Sequence, residues 1–332
     1  MNIRRSPARG VALITAILVV SIAVIAATAV LDGGAFAIQR ASTIQDSERA
    51  WWYALGAEEW SRIVLAKDED KQVDGLEEPW MMPVNLPIDG GTMSGQLVDL
   101  QGRFNLNNLG ADPQGPAFKV YAAQFARILE LSSEMDTNAA QEFIERIHDW
   151  IDPDQEPSGF GGAEDTEYLG MDPPHRTANR LLESPSELLA IRVSRGDATG
   201  DATRKAFAGL RKCDCVTTLP AIGTRINVNT APEMLLLSMQ QSASSELAAF
   251  LEARRKTPVR SLSELTSANV FDANRDFGQQ SVESFLDVQT EFVGLRVRAT
   301  VGNGHVALYS LIYRGTGGGG EPIVLSRNTD TD

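Results

Sequence analysis

The sequence predicts an α+β fold in which a long N-terminal helix packs on an antiparallel sheet, with a large α-helical domain inserted in that sheet. Three patterns lead to this prediction. Residues 11–31 carry no charged side chain and continue into a segment with helical periodicity. Strand-like alternation occurs near residue 100 and again after residue 290. The chain between these two strand regions shows mainly helical patterns, so the sheet is predicted to be interrupted in sequence.

The N-terminal segment predicts a membrane-spanning helix preceded by a leader peptide. Residues 1–10 contain Arg4, Arg5 and Arg9, and residues 11–31 are apolar. As a helix this apolar run is about 30 Å long, enough to cross the hydrocarbon core of a bilayer. A secretory signal peptide has its cleavage site after the apolar run, whereas here the obvious cleavage point, Gly10, precedes it. We therefore expect the apolar helix to survive processing, with its N-terminus in the cytoplasm because the arginines lie there.

The helical pattern continues beyond the apolar run. Four residues fall on one helix face: Tyr53, Ala57, Trp60 and Val64. The pair Gly33 and Gly34 is predicted to interrupt or soften the helix. The aromatic cluster that follows is predicted to pack against the protein's own sheet; its members are Trp51, Trp52, Tyr53 and Trp60.

The strand predictions fall in two regions. Residues 68–91 are polar, contain proline and are predicted to form a loop, and residues 96–100 and 103–106 a hairpin around Gln101-Gly102. Near the C-terminus, alternate residues are apolar from Val293 to Val301, and Gly302-Asn303-Gly304 predicts a turn. Residues 305–313 and 323–325 are predicted to add two further strands.

The helical block between them contains several separate signals. Amphipathic helices are predicted around Tyr121–Phe125–Ile128 and over residues 140–151. Ser184-Pro185-Ser186-Glu187 and Thr230-Ala231-Pro232-Glu233 have the pattern of capping boxes that start helices. The predicted domains are therefore a leader (1–10), a transmembrane helix (11–31), an α/β domain (32–110 with 281–332) and an inserted α-helical domain (111–280).

Composition limits the classes of partner. The chain has 44 acidic and 30 basic side chains, a formal net charge of −14. Such a surface repels nucleic acid and anionic lipid and suits cation binding.

The two cysteines, Cys213 and Cys215, are predicted either to form a small-ring disulfide or to stay as thiols; two thiols alone do not complete a structural zinc site.

The densest group of oxygen ligands predicts a calcium site. Carboxylates crowd a loop rich in Gly and Pro: Asp149, Asp152, Asp154, Glu156, Glu164 and Asp165. Such charges repel one another unless a cation gathers them, and flexible oxygen donors favour calcium. The spacing is not that of an EF-hand loop. The alternative is an exposed acidic loop with helix-capping aspartates.

The sequence contains no arrangement typical of an enzyme. Paired carboxylates can serve acid–base catalysis, but no nucleophile, phosphate-binding glycine loop or paired metal-binding histidines accompany them; His148, His175 and His305 are scattered. No catalytic residue is predicted.

Residues of about 220–270 resemble a helix-hairpin-helix module, with the turn between helices at 240–244 lacking glycine. We interpret this segment as a packing scaffold.

Taken together, five motifs resemble the K-type minor pseudopilins of the type II secretion system, which have a pilin-like fold. The motifs are Arg9-Gly10-Val11-Ala12-Leu13-Ile14-Thr15, Trp52-Tyr53-Ala54-Leu55-Gly56-Ala57-Glu58, Asp149-Trp150-Ile151-Asp152-Pro153-Asp154, Ser186-Glu187-Leu188 and Asn227-Val228-Asn229-Thr230-Ala231-Pro232. The resemblance covers essentially the whole chain. It implies cleavage by the prepilin peptidase after Gly10, N-methylation of Val11, and calcium binding.

The resemblance also implies a place in an assembly. Most pilins and pseudopilins carry a glutamate at the fifth mature position, which here is Thr15; K-type pseudopilins lack that glutamate. The implied function is a non-enzymatic cap at the tip of a periplasmic pseudopilus, held in the inner membrane before assembly. The implied partners are minor pseudopilins I and J, with H, and the prepilin peptidase, secreted substrates and the outer-membrane secretin. No nucleic-acid partner is predicted.

Two rival functions stay open at this point. The chain could be a minor pilin of a surface type IV pilus, or a membrane-anchored DNA-uptake protein that uses the hairpin-like segment. Neighbouring genes for minor pseudopilins I and J would favour the secretion function over the first rival, and a DNA-binding assay at physiological salt tests the second.

Overall fold

The N-terminal helix is the longest element of the computed structural model, which describes residues 9–240, 244–271, 280–315 and 320–329. Helix α1 (Arg9–Ala66) runs for 58 residues without a break. Its most apolar stretch has a mean hydropathy of 2.7 and is wholly exposed, so the helix is long and apolar enough to cross a membrane. The predicted interruption at Gly33 and Gly34 is absent from this helix. Both glycines face open space, so nothing packs against the helix there to bend it.

The described residues form nine strands, of which five make one antiparallel sheet. The nine are β1 (Val84–Ile88), β2 (Gly91–Asp99), β3 (Phe104–Asn105), β4 (Val216–Thr217), β5 (Ile226–Asn227), β6 (Leu286–Asp287), β7 (Phe292–Val301), β8 (Gly304–Tyr313) and β9 (Ile323–Asn328). The sheet order is β1-β2-β7-β8-β9, while β3–β4 and β5–β6 are short parallel pairs. The predicted interruption of the sheet by the helical block is therefore confirmed. The predicted C-terminal strands also match β7, β8 and β9.

Two strand predictions were wrong. The chain does not form a hairpin around Gln101-Gly102, because Asp99 Oδ1 accepts hydrogen bonds from both of their amides, at 2.7 and 3.2 Å. The chain then turns away, and β3 pairs with β4 of the helical region. The segment predicted as a loop contains β1, whose side chains are mostly exposed and therefore show no alternation in the sequence.

Helices fill the region between β2 and β7. They are α2 (Pro116–Ser133), α3 (Thr137–Ile151), α4 (Asp165–Tyr168), α5 (Asp201–Cys213), α6 (Glu233–Ser238), α7 (Ser245–Ala253) and α8 (Leu262–Ser267). The amphipathic faces of α2 and α3 meet in a buried core that includes Phe125, Ile128, Ile144 and Ile147. Phe104 of β3 stacks on Phe125, with ring centroids 5.4 Å apart.

Two helix starts differ in their capping. Ser184 and Glu187 form the predicted capping box, which opens a 3₁₀ helix, Pro185–Ala190. The second box, at Thr230, was wrong: helix α6 begins after Pro232 with no side-chain cap. Thr230 instead donates its hydroxyl to Asp99 Oδ2 at 2.5 Å. Of the hairpin-like segment, α6, α7 and α8 are described, but the turn at 240–244 lies largely outside the described residues.

The chain divides into two compact units, one of residues 1–56, 85–94 and 298–307 and one of the remainder. In the first unit Ala50 of α1 packs with Ala299 and Val301 of β7. In the second unit the helical core contains Cys213 and Cys215, whose sulfurs are bonded. The predicted domain boundaries separate the strand-rich segments from the helical block and do not coincide with these two units. They stay a prediction.

The aromatic cluster on α1 packs only in part. Tyr53 lies against the small core around Ala50. Trp52 is 70% exposed and Trp60 50% exposed, so the prediction of packing was wrong for these two. Successive residues of a helix point about 100° apart, and Trp52 therefore faces away from the side that Tyr53 buries.

Candidate metal centre

Three of the predicted ligands meet at the two ends of one loop. Asp152 follows the last residue of α3, Asp154 lies two residues later, and Glu164 precedes α4. One carboxylate oxygen of each residue lies within 4.8 Å of one oxygen of each of the other two. Pro153 disfavours a helical conformation at Asp152, whose φ of −70° and ψ of 157° are extended. The end of α3 therefore directs the chain into a loop, residues 152–164, whose last residue, Glu164, lies beside its first, Asp152.

Asp149, on the last turn of α3, braces this loop from inside. Its side chain is completely buried and accepts the Ser158 amide at 3.0 and 3.2 Å through its two oxygens. The Ala163 amide also donates to it. Burial raises the pKa of Asp149, and these donors oppose the rise. Asp149 thus fixes the loop beside the three clustered carboxylates.

The electrostatics of the cluster favour a bound cation. Burial first, and then the negative charges of Asp149, Asp152 and Asp154, raise the pKa of Glu164 to about 8. The pKa of Asp152 rises to about 6, mainly through burial, against the opposing effect of His148. Within the described part of the chain, Glu164 Oε1 and Asp152 Oδ1 are buried without a hydrogen-bond donor. Unpaired buried acceptors are costly, and a cation would satisfy both.

The other two predicted ligands lie outside this group. Glu156 is exposed, and its amide donates to Asp154 Oδ1 at 2.8 Å. Asp165 already has partners: the Thr177 amide at 3.0 Å, the Thr177 hydroxyl at 2.9 Å and Arg176 Nη1 at 2.9 Å. The structure therefore brings together Asp152, Asp154 and Glu164, with Asp149 as a brace, and does not bring in Glu156 or Asp165.

Sequence reasoning missed two contributors. Glu145 accepts the Gly161 amide at 2.7 Å and so ties the outer part of the loop to α3. It lies four residues before Asp149, on the same helix face, and that spacing was the available signal. His148 is buried, with Nδ1 2.7 Å from the Leu109 carbonyl oxygen and Nε2 3.4 Å from Asp152 Oδ2.

The donor set suits a hard divalent cation. Carboxylate oxygens in a loop with backbone carbonyls nearby are the ligands that calcium prefers. Calcium takes six to eight oxygens with loose geometry, which two aspartates, one glutamate, carbonyls and water can supply. The residues present therefore fit the ion.

The remaining histidines have structural contacts. His175 has its Nδ1 3.1 Å from the Pro173 carbonyl oxygen and its Nε2 3.2 Å from that of Ala190. His305 Nδ1 lies 3.2 Å from the Thr300 hydroxyl.

Known proteins resemble this chain over most of its length. A family model described as type II secretion system, protein K, matches residues 102–199, which include the carboxylate loop. The type II secretion system protein K of Pseudomonas aeruginosa is 30% identical over 319 residues, 93% of this chain and 90% of that protein. The corresponding protein of Pectobacterium carotovorum is 29% identical over 321 residues, 93% of each chain.

A solved structure has the same fold. It is a chain of the GspK-GspI-GspJ complex from the type 2 secretion system of enterotoxigenic Escherichia coli. The TM-score is 0.67 and the sequences are 23% identical, over 88% of this chain and 100% of that one. With the P. aeruginosa relative aligned over nine-tenths of its own length, the resemblance first drawn from motifs is confirmed: the chain belongs to the type II secretion system protein K family.

Proposed function

We propose that this protein is the minor pseudopilin that caps the tip of the periplasmic pseudopilus and helps nucleate it with minor pseudopilins I and J. The support for these partners is that the solved structure with the same fold is a GspK-GspI-GspJ complex. The minor pseudopilin of type H, the outer-membrane secretin and secreted substrates are further proposed partners. The protein acts as a structural component and catalyses no reaction.

The observation that carries the tip position is Thr15. In a filament of such helices, a carboxylate at the fifth mature position neutralises the terminal amine of a neighbouring subunit. Thr15 has no charge, and its hydroxyl donates to the Ala12 carbonyl of its own helix at 3.0 Å. Unpaired charges are costly in lipid. A subunit without this carboxylate therefore fits the end of the filament, where no following amine needs a partner.

The proposed life cycle begins in the inner membrane. The prepilin peptidase removes residues 1–10 after Gly10, and Val11 becomes the N-methylated first residue. The apolar part of α1 holds the protein in the inner membrane as a single span, with the N-terminus in the cytoplasm and the bulk in the periplasm. The same helix later packs in the pseudopilus.

The proposed cofactor is calcium. Asp152, Asp154 and Glu164 would hold the ion, and its charge would offset the burial and the mutual repulsion that together raise the pKa of Glu164. The role of the ion is structural, since it joins the two ends of the loop between α3 and α4.

Labelling of isolated pseudopili tests the tip position. Cells that overproduce the pseudopilus, with the complete secretion system, are sheared, and the filaments are labelled with gold-conjugated antibody against the helical region. A cap gives label at one end of each filament, in cells whose export of type II substrates depends on this gene. Label along the filament, or normal export after deletion of the gene, contradicts the proposal.

A further inference from the structure

Among the described residues beyond helix α1, Phe160 is the most exposed large apolar side chain. It lies in the 152–164 loop and is 104% exposed relative to the reference state. Of the large apolar side chains that the structure describes in the helical region, Leu169 and Ile222 come next, at 49% and 48% exposed. Single apolar residues on a surface are common, so the exposure matters only because the loop is built to produce it.

The backbone on both sides of Phe160 is fixed to helix α3. Before it, the Ser158 amide donates to the buried Asp149. After it, the Gly161 amide donates to Glu145 Oε2 at 2.7 Å. The Gly162 amide closes the turn on the Ser158 carbonyl at 3.0 Å. Phe160 therefore projects from a braced turn and not from a free loop.

The glycines on either side make this approach to α3 available. Gly159 has a φ of +57°, which favours glycine. A Cβ on Gly159 would lie 2.5 Å from the Glu145 carboxylate carbon, and a Cβ on Gly161 would lie 2.6 Å from Glu142 Cγ. Both flanking residues are thus pressed onto the helix, and the side chain between them points into solvent.

The surroundings of Phe160 are acidic. Glu142 and Glu145 lie under the glycines, and the same loop carries Glu156, which is exposed and lies outside the clustered carboxylates. Between residues 141 and 165 the only arginine or lysine is Arg146, which is fully buried and paired with Glu167 at 2.7 Å. An anionic membrane surface would be repelled by this rim, whereas a basic protein surface would be attracted.

We propose that Phe160 is an anchor residue that inserts into an apolar pocket with a basic rim on a partner protein. Aromatic anchors that enter such pockets carry a large share of the binding free energy at protein interfaces. Because α3 already holds the turn, little conformational entropy is lost when the side chain is buried. This inference rests on the proposed function in that the partner belongs to the same secretion process. The acidic rim selects the partner, and the phenyl ring supplies the affinity.

Site-specific photocrosslinking tests the contact directly. The full chain is produced in its own cells with the complete secretion system, with p-benzoyl-phenylalanine in place of Phe160. A second variant carries the same photoreactive group in place of Leu169, which is also exposed and apolar but lies outside the turn. We expect a discrete protein adduct from position 160 that is absent from position 169. We also expect Glu156→Lys to weaken the adduct, because it reverses one charge of the acidic rim.

A binding measurement then separates an anchor from a chance neighbour. The partner is identified by mass spectrometry and purified, and its affinity for the detergent-solubilised full chain is measured. Phe160→Ser is expected to lower the affinity about 10- to 150-fold, the range for loss of a buried apolar side chain. Leu169→Ser is expected to change it less than about twofold. The crosslinked peptide of the partner should contain apolar and basic residues.

Three results would overturn the inference: no adduct, an adduct with lipid only, or unchanged affinity of Phe160→Ser. These outcomes can be told apart from failure of the proposed function, which is measured by export after gene deletion and by filament labelling. Phe160→Ser should leave copurification with I and J unchanged if the partner is neither of them. If the adduct forms with I or J, the anchor lies at that interface.

Discussion

Asn107 pairs with the backbone of Leu182 as one strand residue pairs with another. Asn107 Oδ1 accepts the Leu182 amide at 2.8 Å, and Nδ2 donates to the Leu182 carbonyl at 2.9 Å and to the Leu219 carbonyl at 2.8 Å. The side chain is completely buried. Through this single amide, the segment after β3 connects two distant loops that form no sheet with it.

Replacement of Asn107 should therefore destabilise the helical region. Asn107→Ala leaves the amide and the carbonyl of Leu182 buried without partners, while the Leu219 carbonyl keeps the Ala221 amide at 2.8 Å. We expect a loss of about 3 kcal/mol in the free energy of unfolding. Asn138→Ala is the matched control, because Asn138 is exposed in the first turn of α3, and should cost less than about 0.5 kcal/mol. Denaturant unfolding followed by tryptophan fluorescence measures both. Equal stabilities of the two variants would contradict the role of the pairing.

Calcium should bind to the loop between α3 and α4 and raise the melting temperature. Glu164→Gln removes one of the three clustered carboxylates and is expected to abolish most of the calcium heat in titration calorimetry. Glu156→Gln should leave it nearly unchanged, because Glu156 is outside the cluster. Loss of binding in Glu156→Gln with retention in Glu164→Gln would assign the site to different ligands.

Stability without calcium should fall as the pH rises. The pKa of Glu164 is about 8 in the folded protein against 4.5 for the free side chain, so between these values the folded state binds more protons than the unfolded state. Stability then decreases with pH across that window. Thermal melts in chelator should show this decrease, and saturating calcium should lessen it, since calcium binds the ionised form.

The slope of this pH dependence identifies its source. Glu164→Gln should lessen it in the absence of calcium and leave the part that comes from Asp152 and Asp74, whose pKa values burial raises to about 6 and about 7. Glu156→Gln should keep all of it. A slope unchanged in Glu164→Gln would mean that other groups cause it.

A buried carboxylate near the end of α1 depends on one arginine of β9. Glu58 is 4% exposed and accepts hydrogen bonds from Arg327 at 2.7 to 3.0 Å and from the Ser310 hydroxyl at 2.6 Å. Against the effect of burial, these donors lower its pKa. Arg327→Ala leaves a buried charge with the hydroxyl as its remaining side-chain donor, and should cost about 3 kcal/mol.

The control for this prediction is a similar arginine with an exposed partner. Arg180 is as exposed as Arg327, 51% against 50%, but its nearer partner Glu183, at 3.0 Å, is 79% exposed. Its second carboxylate, Glu187, is 3.9 Å away. Arg180→Ala should therefore change the free energy of unfolding by less than about 1 kcal/mol. Equal losses of unfolding free energy in the two variants would contradict the prediction that the burial of Glu58 makes its arginine partner necessary.

Processing after Gly10 can be checked by intact-mass spectrometry of the membrane-extracted protein. The expected product begins at Val11 and is one methyl group heavier than the bare sequence. Gly10→Glu should keep the leader attached, whereas Gly33→Ala, a glycine change beyond the cleavage point, should be processed normally. A mature chain that begins after residue 31 would instead show a conventional signal peptide.

Elements with strong local periodicity could be predicted from the sequence, and elements defined by distant partners could not. Helices α2 and α3 each bury one apolar stripe, and β7 alternates, so both patterns are visible in the chain itself. Strand β3 is set by pairing with β4, more than a hundred residues later. No local pattern shows such a partner.

The same distinction applies to the metal centre. The density of carboxylates between residues 149 and 165 predicted a cluster, but not its members. Asp165 is withdrawn from it by Thr177 and Arg176, which lie twelve and eleven residues further on. Asp149 is turned to the loop amides because it lies on the buried face of α3. Which carboxylates join the cluster depends on tertiary packing, and the composition of the segment does not show that packing.

The large helical region leaves and rejoins the sheet at one point. Strands β2 and β7 are neighbours, and the Leu100 amide donates to the Phe292 carbonyl at 3.1 Å, where the excursion begins and ends. The sheet therefore closes by the same hydrogen bond whatever length of chain lies between. Since the entropy of closing a loop grows only slowly with its length, this junction can accept a larger, smaller or different domain. A domain of another size at this junction would leave strands β2 and β7 and their pairing unchanged.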